Sequence, residues 1–545
     1  MAATTEIGTS KLARLQQAFD NRASAEERGN AQKLLIADKF SKLGEARDQE
    51  DANVRFVNAL AALIHNYPES ISSEFGDTES AKQRYDKGKV QVLLSQIDAL
   101  LAGQINEILH HPKFQELESV WRGLEDLTSH TNFGANICID MLNASKEDLR
   151  EDFENNSSSI FNSALFNKIY IQEYDQYGGR PFGVLIGLFE FSNTPGDIAW
   201  LQSMGKIANA AHSPFLAAVS PQFFGYERAE QVEAVKDLRT LLSAPRFGRW
   251  HKFRETDSAA YIGLTFPRYV VRLPWHPETN PCRTLNFTED SYGNKEKYLW
   301  GNTAILMARN LARSFETSGW CQYLRGPRGG GLVDGLAVDT YPVRGKASGP
   351  DIIPTTETRL PVEICIPDYR ELEFAESGFI PLIYRKETAE AAFFSTQSIK
   401  LAHRFKDRND AENASLVTNL AYTFSVTRIA HYIKSIMRDN IGTTADAVYV
   451  QRTIDSWLGQ YVTTVIDPDN LTLRYYPFKA VSVEVKARTG EIGWYDCTVA
   501  VLPHVQFEGM NVELRLDGHT QLYALAHCQV PLMPSNFSSM LASSP

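Results

Sequence analysis

None of the six cysteines in this 545-residue chain falls in a CxxC pair: Cys138, Cys282, Cys321, Cys365, Cys497 and Cys528 are scattered singly. That spacing argues against a zinc ribbon and for reduced thiols in a cytosol. No apolar run approaches the roughly 20 residues a membrane helix needs, so no membrane insertion is expected. The opening Met1-Ala2-Ala3-Thr4-Thr5-Glu6 carries neither a basic region nor a hydrophobic core, so no secretory signal is expected. Basic residues are outnumbered, 55 against 66 acidic. The net charge of −11 comes without a basic stripe, which argues against nucleic-acid binding.

Motifs that carry chemistry are missing too. No GxxxxGK followed by Ser or Thr is present; Gly345-Lys346 is followed by Ala347. The glycines at 326–331 do not join a strand to a helix N-terminus, so they read as a plain loop rather than a phosphate cradle. Neither GxSxG nor HExxH occurs. His276 and Cys282 lie six apart in a proline-bearing loop without further ligands of metal spacing. His212 and His431 read as capped or core histidines. The acidic run Asp368, Glu371, Glu373 and Glu376 reads as a solvated helix face. Its functional alternative is a soluble α/β enzyme built on acids such as Asp368 and Glu373. No catalytic residue, cofactor or metal is assigned, and that favours a structural or assembly protein over an enzyme.

What is present is core. Hydrophobic residues make up 43% and charged residues 22%, enough for two or three globular domains. Residues 1–75 read as a polar tail and short helices, including an apolar patch at Leu34, Leu35 and Phe40 and a helix over 54–67. The spacing predicts long helices over 90–110 and from Phe114 through Leu117, Trp121 and Leu124. From about 130 the pattern turns to α/β. Short strands are predicted at 136–140, 269–273 and 362–366. Buried strands are expected at 182–191 and 215–219 and a further strand at 380–384, with helices at 198–211 and 300–315. Residues 76–405 thus form an α/β region.

A charged stretch at 404–415 marks a boundary before a C-terminal domain, 412–518. Helices are predicted over 420–437 and 444–462. Val481, Val483 and Val485 then alternate with polar residues, 494–502 is aromatic and β-branched, and Val512, Leu514 and Leu516 alternate again. Three strands follow from this, the last with an unfinished edge. Such an edge aggregates unless another chain completes it. Residues 519–545 read as a serine- and proline-bearing flexible tail.

Several stretches carry a family resemblance. Phe114-Gln115-Glu116-Leu117-Glu118-Ser119-Val120-Trp121-Arg122-Gly123-Leu124 resembles a segment of the large sheath subunit of type VI secretion systems, the TssC/VipB family. Similar matches are Ala211-His212-Ser213-Pro214-Phe215, Phe223-Phe224-Gly225 and Leu264-Thr265-Phe266-Pro267-Arg268. So are Tyr298-Leu299-Trp300-Gly301-Asn302-Thr303-Ala304, Glu376-Ser377-Gly378-Phe379-Ile380 and Gly493-Trp494-Tyr495. They run in order over roughly 90–518.

The resemblance implies a mixed α/β fold: a phage-tail-sheath-like core, an N-terminal helical region and C-terminal strands for exchange between subunits. It implies a non-enzymatic building block that pairs with a small subunit (TssB/VipA) and polymerises into a cytoplasmic helical tube. That tube stands on a baseplate, surrounds Hcp rings and contracts. The exchanged strands would present Val481, Val483, Val485, Tyr495, Cys497, Val499, Val512, Leu514 and Leu516. A ClpV-type AAA+ unfoldase would grip a helix at 33–44 through Leu34, Leu35 and Phe40. Helices in 54–110 would join the small subunit. The helix at 444–462, with Val450, Asp455 and Gln460, would face the inner tube.

Overall fold

The computed structural model describes residues 87–504, apart from 284, 292–293, 344–354, 403–413, 415, 444–445, 466–467 and 489–494. The expected helix at 54–67, the patch at Leu34, Leu35 and Phe40 and the strand bearing Val512, Leu514 and Leu516 lie outside the described residues.

The longer helices are α1 (Lys87–Leu109), α2 (Pro112–Ser129), α3 (Lys146–Asn155), α4 (Pro195–Ala211) and α5 (Gly248–Arg254). They continue with α6 (Ala304–Ser318), α7 (Asp368–Glu376), α8 (Leu420–Asp439) and α9 (Ala447–Gly459). Strands β1 (Leu185–Phe191), β2 (Phe215–Val219), β3 (Ile262–Phe266), β4 (Tyr269–Val270), β5 (Trp300–Gly301) and β6 (Leu332–Val333) come first. Then follow β7 (Thr340–Val343), β8 (Thr355–Thr358), β9 (Ile380–Tyr384), β10 (Ala391–Phe393), β11 (Phe478–Ala487) and β12 (Tyr495–Pro503).

Helix ends follow capping chemistry. The Thr194 hydroxyl accepts from the Asp197 N–H, Pro195 supplies a pre-set first turn, and His212 closes α4 in the left-handed conformation. Ser145 and Asp148 form a reciprocal capping box on α3. Helix α6 begins at Ala304 rather than at the expected 300, because the Asn302 side chain caps the Ala304 N–H and Trp300–Gly301 pairs with β4.

Two compact units form. One holds α1 with the loop Trp275–Glu289. Within it, Asn106 Nδ2 lies 3.5 Å from the Thr288 carbonyl. The loop is closed at its neck, where the Glu289 N–H donates to the Trp275 carbonyl at 2.8 Å and the Glu289 carboxylate accepts from the Trp275 N–H at 2.9 Å.

The larger unit runs from His110 to Pro274 and from Asp290 onward. Its centre is a six-stranded mixed sheet of order β1-β2-β3-β9-β10-β6, parallel from β1 to β9 and antiparallel beyond. Period-2 alternation divides β2 and β9 between two cores. Phe215, Ala217 and Val219 join Ile198, Leu201 and Met204 of α4 on one face, with Trp250 and Phe253 of α5 and Phe374 of α7. Leu216, Ile380 and Leu382 face Leu306, Met307 and Leu311 of α6 and Leu420 and Phe424 of α8 on the other. Three layers result, helices over both faces of one sheet.

Two expected strands are absent. Residues 136–140 carry no ladder, and at 362–366 only Val362 makes a single bridge, to Tyr269. The strand expected over 269–273 stops at Val270. The apolar run at 182–191, expected as a strand buried on both faces, contains β1, which ends the sheet among the described residues. Its apolar composition serves two faces: Phe191 joins the α4 core on one, and Ile186 and Leu188 meet Leu127 of α2 and Ile305 and Ala308 of α6 on the other.

Candidate assembly surfaces

Motif residues singled out from the sequence turn out to be joints of the core. Glu118 on α2 accepts from Arg272 Nε at 2.7 Å and Nη2 at 3.2 Å, and from Arg122 Nε at 2.8 Å. Burial alone would raise this carboxyl, but the hydrogen bonds from Arg272 and Arg122 outweigh it and hold the carboxyl below its usual range. Arg268, which closes the Leu264–Arg268 stretch, clasps Glu363 through Nε at 3.0 Å and Nη2 at 2.6 Å. Its Nη1 lies 3.8 Å from Glu190, whose carboxyl is pushed up by burial. The Thr303 hydroxyl donates to the Pro267 carbonyl.

Two glycines in these motifs are required by geometry. Gly225 has φ +87°, and a Cβ there would stand 2.5 Å from the Arg246 guanidinium, which donates to the Phe224 carbonyl. Gly378 has φ +90° and abuts Ile399 and Arg254. Arg254 donates from Nε to the Ile399 carbonyl and from Nη2 to the Glu376 carbonyl, both at 2.8 Å. Burial without a carboxylate pulls its pKa down to about 10.

The C-terminal hairpin is the first surface. β11 and β12 pair antiparallel over nearly their whole length, Val481 opposite Val501, Val483 opposite Val499, Val485 opposite Cys497 and Ala487 opposite Tyr495. These side chains share one face, which packs with Ile454 and Leu458 of α9, with Ile429 of α8 and with Trp320. The Trp320 ring meets those of Tyr461 and Phe478, each at 5.1 Å between centroids. The Cys497 thiol is raised first by burial and then by the nearby Asp455 charge.

Val481, Val483, Val485, Tyr495, Cys497 and Val499 are therefore brought together as an inward face. Sequence reasoning left out Val501, although it continues the period-2 series Cys497, Val499. Among the described residues no third strand pairs with this ladder; Val462 makes one parallel bridge to Phe478 at its start.

On α9 the three expected outward residues separate. Val450 is 5% exposed and packs into the hairpin core, so it is withdrawn from any outer surface. This corrects its place beside Asp455 and Gln460, which are both exposed. Val450, Ile454 and Leu458 lie at spacings of four and share the inner stripe. Val448 and Tyr449 are the exposed apolar residues of this helix.

A second surface is α1. Val92, Leu94, Ile97, Leu100, Leu101 and Ile108 are exposed, Leu100 by 71%. Apolar side chains in such number on one helix mark an interaction face.

The chemical candidates do not converge. Asp368 and Glu373 lie five positions apart on α7, about 140° around the helix, and do not share a face. His431 Nε2 contacts the Ala211 carbonyl at 3.1 Å. His212 is the α4 cap, its ring 6.5 Å from that of His431. His276 Nδ1 accepts from the Glu278 N–H at 3.3 Å, while Cys282 lines a shallow cavity of about 310 Å³ with Pro277, Pro281 and Leu285. Among the described residues no group of three His, Cys, Asp or Glu is placed to hold a metal ion. No helix there is long and apolar enough to cross a membrane.

Residues 91–400 match the family described as VipB, EvpB/VC_A0108, tail sheath N-terminal domain. Residues 409–520 match its tail sheath gpW/gp25-like domain. The chain is 37% identical over 520 residues to the type VI secretion system sheath protein TssC1 of Pseudomonas aeruginosa, covering 94% of this chain and 98% of that relative. Among solved structures, a chain of the anti-feeding prophage baseplate aligns at 10% identity over 70% of this chain and 84% of its own, with TM-score 0.35. A chain of the contracted anti-feeding prophage sheath aligns at 11% identity over 58% of this chain and 67% of its own, with TM-score 0.29.

Proposed function

The chain belongs to the VipB family of type VI secretion tail-sheath proteins, and from that premise we propose that it is the large subunit of a contractile sheath. On this reading it pairs with a small subunit of the TssB/VipA kind and polymerises in the cytoplasm into a helical tube. That tube rests on a baseplate, encloses an inner tube of Hcp rings and contracts to drive it out. A ClpV-type unfoldase then takes the tube apart. The role is structural rather than enzymatic.

One observation carries the reading. The β11–β12 ladder is long, is seated on α9 by one face, and has no third strand among the described residues. A ladder of this length with open backbone groups invites a strand from a neighbour. Backbone hydrogen bonds suit a contracting lattice because adjacent strands can twist against one another without losing them. The stretch bearing Val512, Leu514 and Leu516 is the natural third strand, within the chain or lent to the next subunit. The exposed apolar face of α1 fits helices of the small subunit, and Asp455 and Gln460 on the outer side of α9 fit the inner tube. Residues 33–44, with Leu34, Leu35 and Phe40, serve as the unfoldase handle.

The test is co-expression with the small subunit and electron microscopy for hollow tubes. Leu514→Pro removes a ladder donor. It should abolish tubes and leave the heterodimer; tubes that survive place the joint elsewhere. Deleting 33–44 should block disassembly but not contraction, and unchanged unfoldase capture in a pull-down would refute the handle.

A further inference from the structure

Helix α8 runs unbroken through two cores. Its 20 residues include neither glycine nor proline, so no hinge is built into it. A step of about 100° per residue sets Leu420, Phe424, His431, Lys434 and Arg438 on one side of the helix and Ile429, Ile433 and Met437 on roughly the opposite one. On the first side Leu420 and Phe424 enter the core beneath the central sheet. On the second, Ile429, Ile433 and Met437 belong to the cluster that seats the C-terminal hairpin.

Toward its C-terminus the first side turns polar and becomes a clasp. His431 Nε2 contacts the Ala211 carbonyl at 3.1 Å, at the end of α4. Lys434 pairs with Asp175 at 2.7 Å and lies 3.7 Å from the centroid of the Tyr174 ring. Arg438 donates from Nη1 to the Gln176 carbonyl at 2.9 Å, and from Nη2 to the Tyr174 and Asp175 carbonyls, both at 3.1 Å.

Those carbonyls end a π-helical segment, Asn167–Tyr174, where the Asp175 N–H reaches back to the Tyr170 carbonyl at 2.7 Å. Such wide turns are rare and recur at functional sites. Carbonyls at a helix end need donors from outside the helix, and Arg438 supplies them. The two sides of α8 therefore depend on each other, because the last turns of a helix fray unless they are held. If the clasp opens, Ile433 and Met437 leave the hairpin. If the hairpin lifts away, the same turns lose their apolar cover and Arg438 is drawn off the π-helical end.

We propose that α8 is a coupling strut: through Lys434 and Arg438 it ties the C-terminal hairpin to the π-helical segment 167–174, so that loosening either one loosens the other. Linkage makes the effect reciprocal. The coupling stands on contacts within one chain. Only its use, carrying the addition of a strand at the hairpin into the body of the subunit, rests on the sheath reading.

The full-length, unassembled chain carrying Lys434→Met and Arg438→Met, which keep the stems and remove the donors, is followed by hydrogen exchange and mass spectrometry. Peptides from 167–176, 431–439 and 478–487 should all exchange several-fold faster than in the parent, while 215–219 and 262–266 keep their protection. Ile454→Ala, altered on the hairpin side, should in return speed exchange in 167–176. Arg438→Lys keeps one donor and should recover part of the protection. Should the double variant fail to fold, Arg438→Met alone, at a partly buried site, carries the comparison. Acceleration confined to 167–176 would make the clasp a local contact and overturn the proposal, and so would no acceleration at all. An equal rise in 215–219 would overturn it too, because the whole unit would then open together. Tubes missing from the unaltered protein would count against the sheath reading only, because exchange is read on the unassembled chain.

Discussion

Ile454→Ala tests what holds the assembly hairpin in place. Ile454 is fully buried at the centre of the cluster that joins α9, the end of α8 and the valine stripe of β11 and β12. Truncating a buried isoleucine to alanine costs about 2–5 kcal/mol, because the packing lost and the cavity left both count. A two-stranded ladder by itself is marginal in water, so its order depends on this one packed face. The central sheet has separate cores on both of its faces and does not share Ile454. Taking about 3 kcal/mol, local opening of the hairpin should become about a hundred-fold more populated. Hydrogen exchange followed by mass spectrometry reads this directly. Peptides from 478–487 and 495–503 should exchange about a hundred-fold faster, while those from 215–219 and 262–266 keep their protection. Tube formation with the small subunit should fail in the same variant. An equal acceleration in both regions would show that sheet and hairpin open as one cooperative body. No acceleration at all would show that α9 is not what seats the hairpin.

Other consequences follow from the buried polar groups. Glu118→Ala removes the carboxylate that accepts from both Arg272 and Arg122, and should cost about 1.5–3 kcal/mol, seen as a lower urea midpoint with an unchanged slope. Arg122→Ala, at the more exposed partner, should cost about 1 kcal/mol or less, and an equal cost for the two would refute this ranking. His431, surrounded by His212, Arg428, Lys434 and the Tyr174 ring, is held neutral by burial with its pKa lowered to about 4. The folded state therefore binds fewer protons than the unfolded one between about pH 4 and 6.5. Stability is complete above that window and is lost as pH falls through it, by at most about 3 kcal/mol. His431→Gln should flatten the dependence of the urea midpoint on pH; an unchanged slope would assign it to other groups.

Local pattern was enough for much of this protein. The alternation of Val481, Val483 and Val485 with polar residues marks a strand with one buried face, and β11 has that face on α9. Strands β2 and β9 coincide with the apolar runs at 215–219 and 380–384, because strands buried on both faces need apolar residues at every position. The helix over 420–437 is visible from its spacing and extends to Asp439. Its family is legible in stretches such as Glu118 to Leu124, where Glu118 proves to be a joint of the core while Trp121 stays exposed.

Which element is central, which side chain faces out and which edge stays open were decided only in three dimensions. β1 has the composition of an interior strand because helices cover both of its faces, yet among the described residues β2 is its one strand neighbour. Val362 has strand neighbours in sequence but only Tyr269 to bridge to. Val450 lies in register with Ile454 and Leu458, and only the presence of β11 beneath α9 turns that stripe inward and leaves Asp455 and Gln460 outside. Periodicity is a property of neighbours along the chain and is written in the residues themselves. The placing of partners hundreds of positions apart, such as Asn302 on the β1 carbonyls, depends on how the layers pack, and no window of sequence contains both sides of that contact.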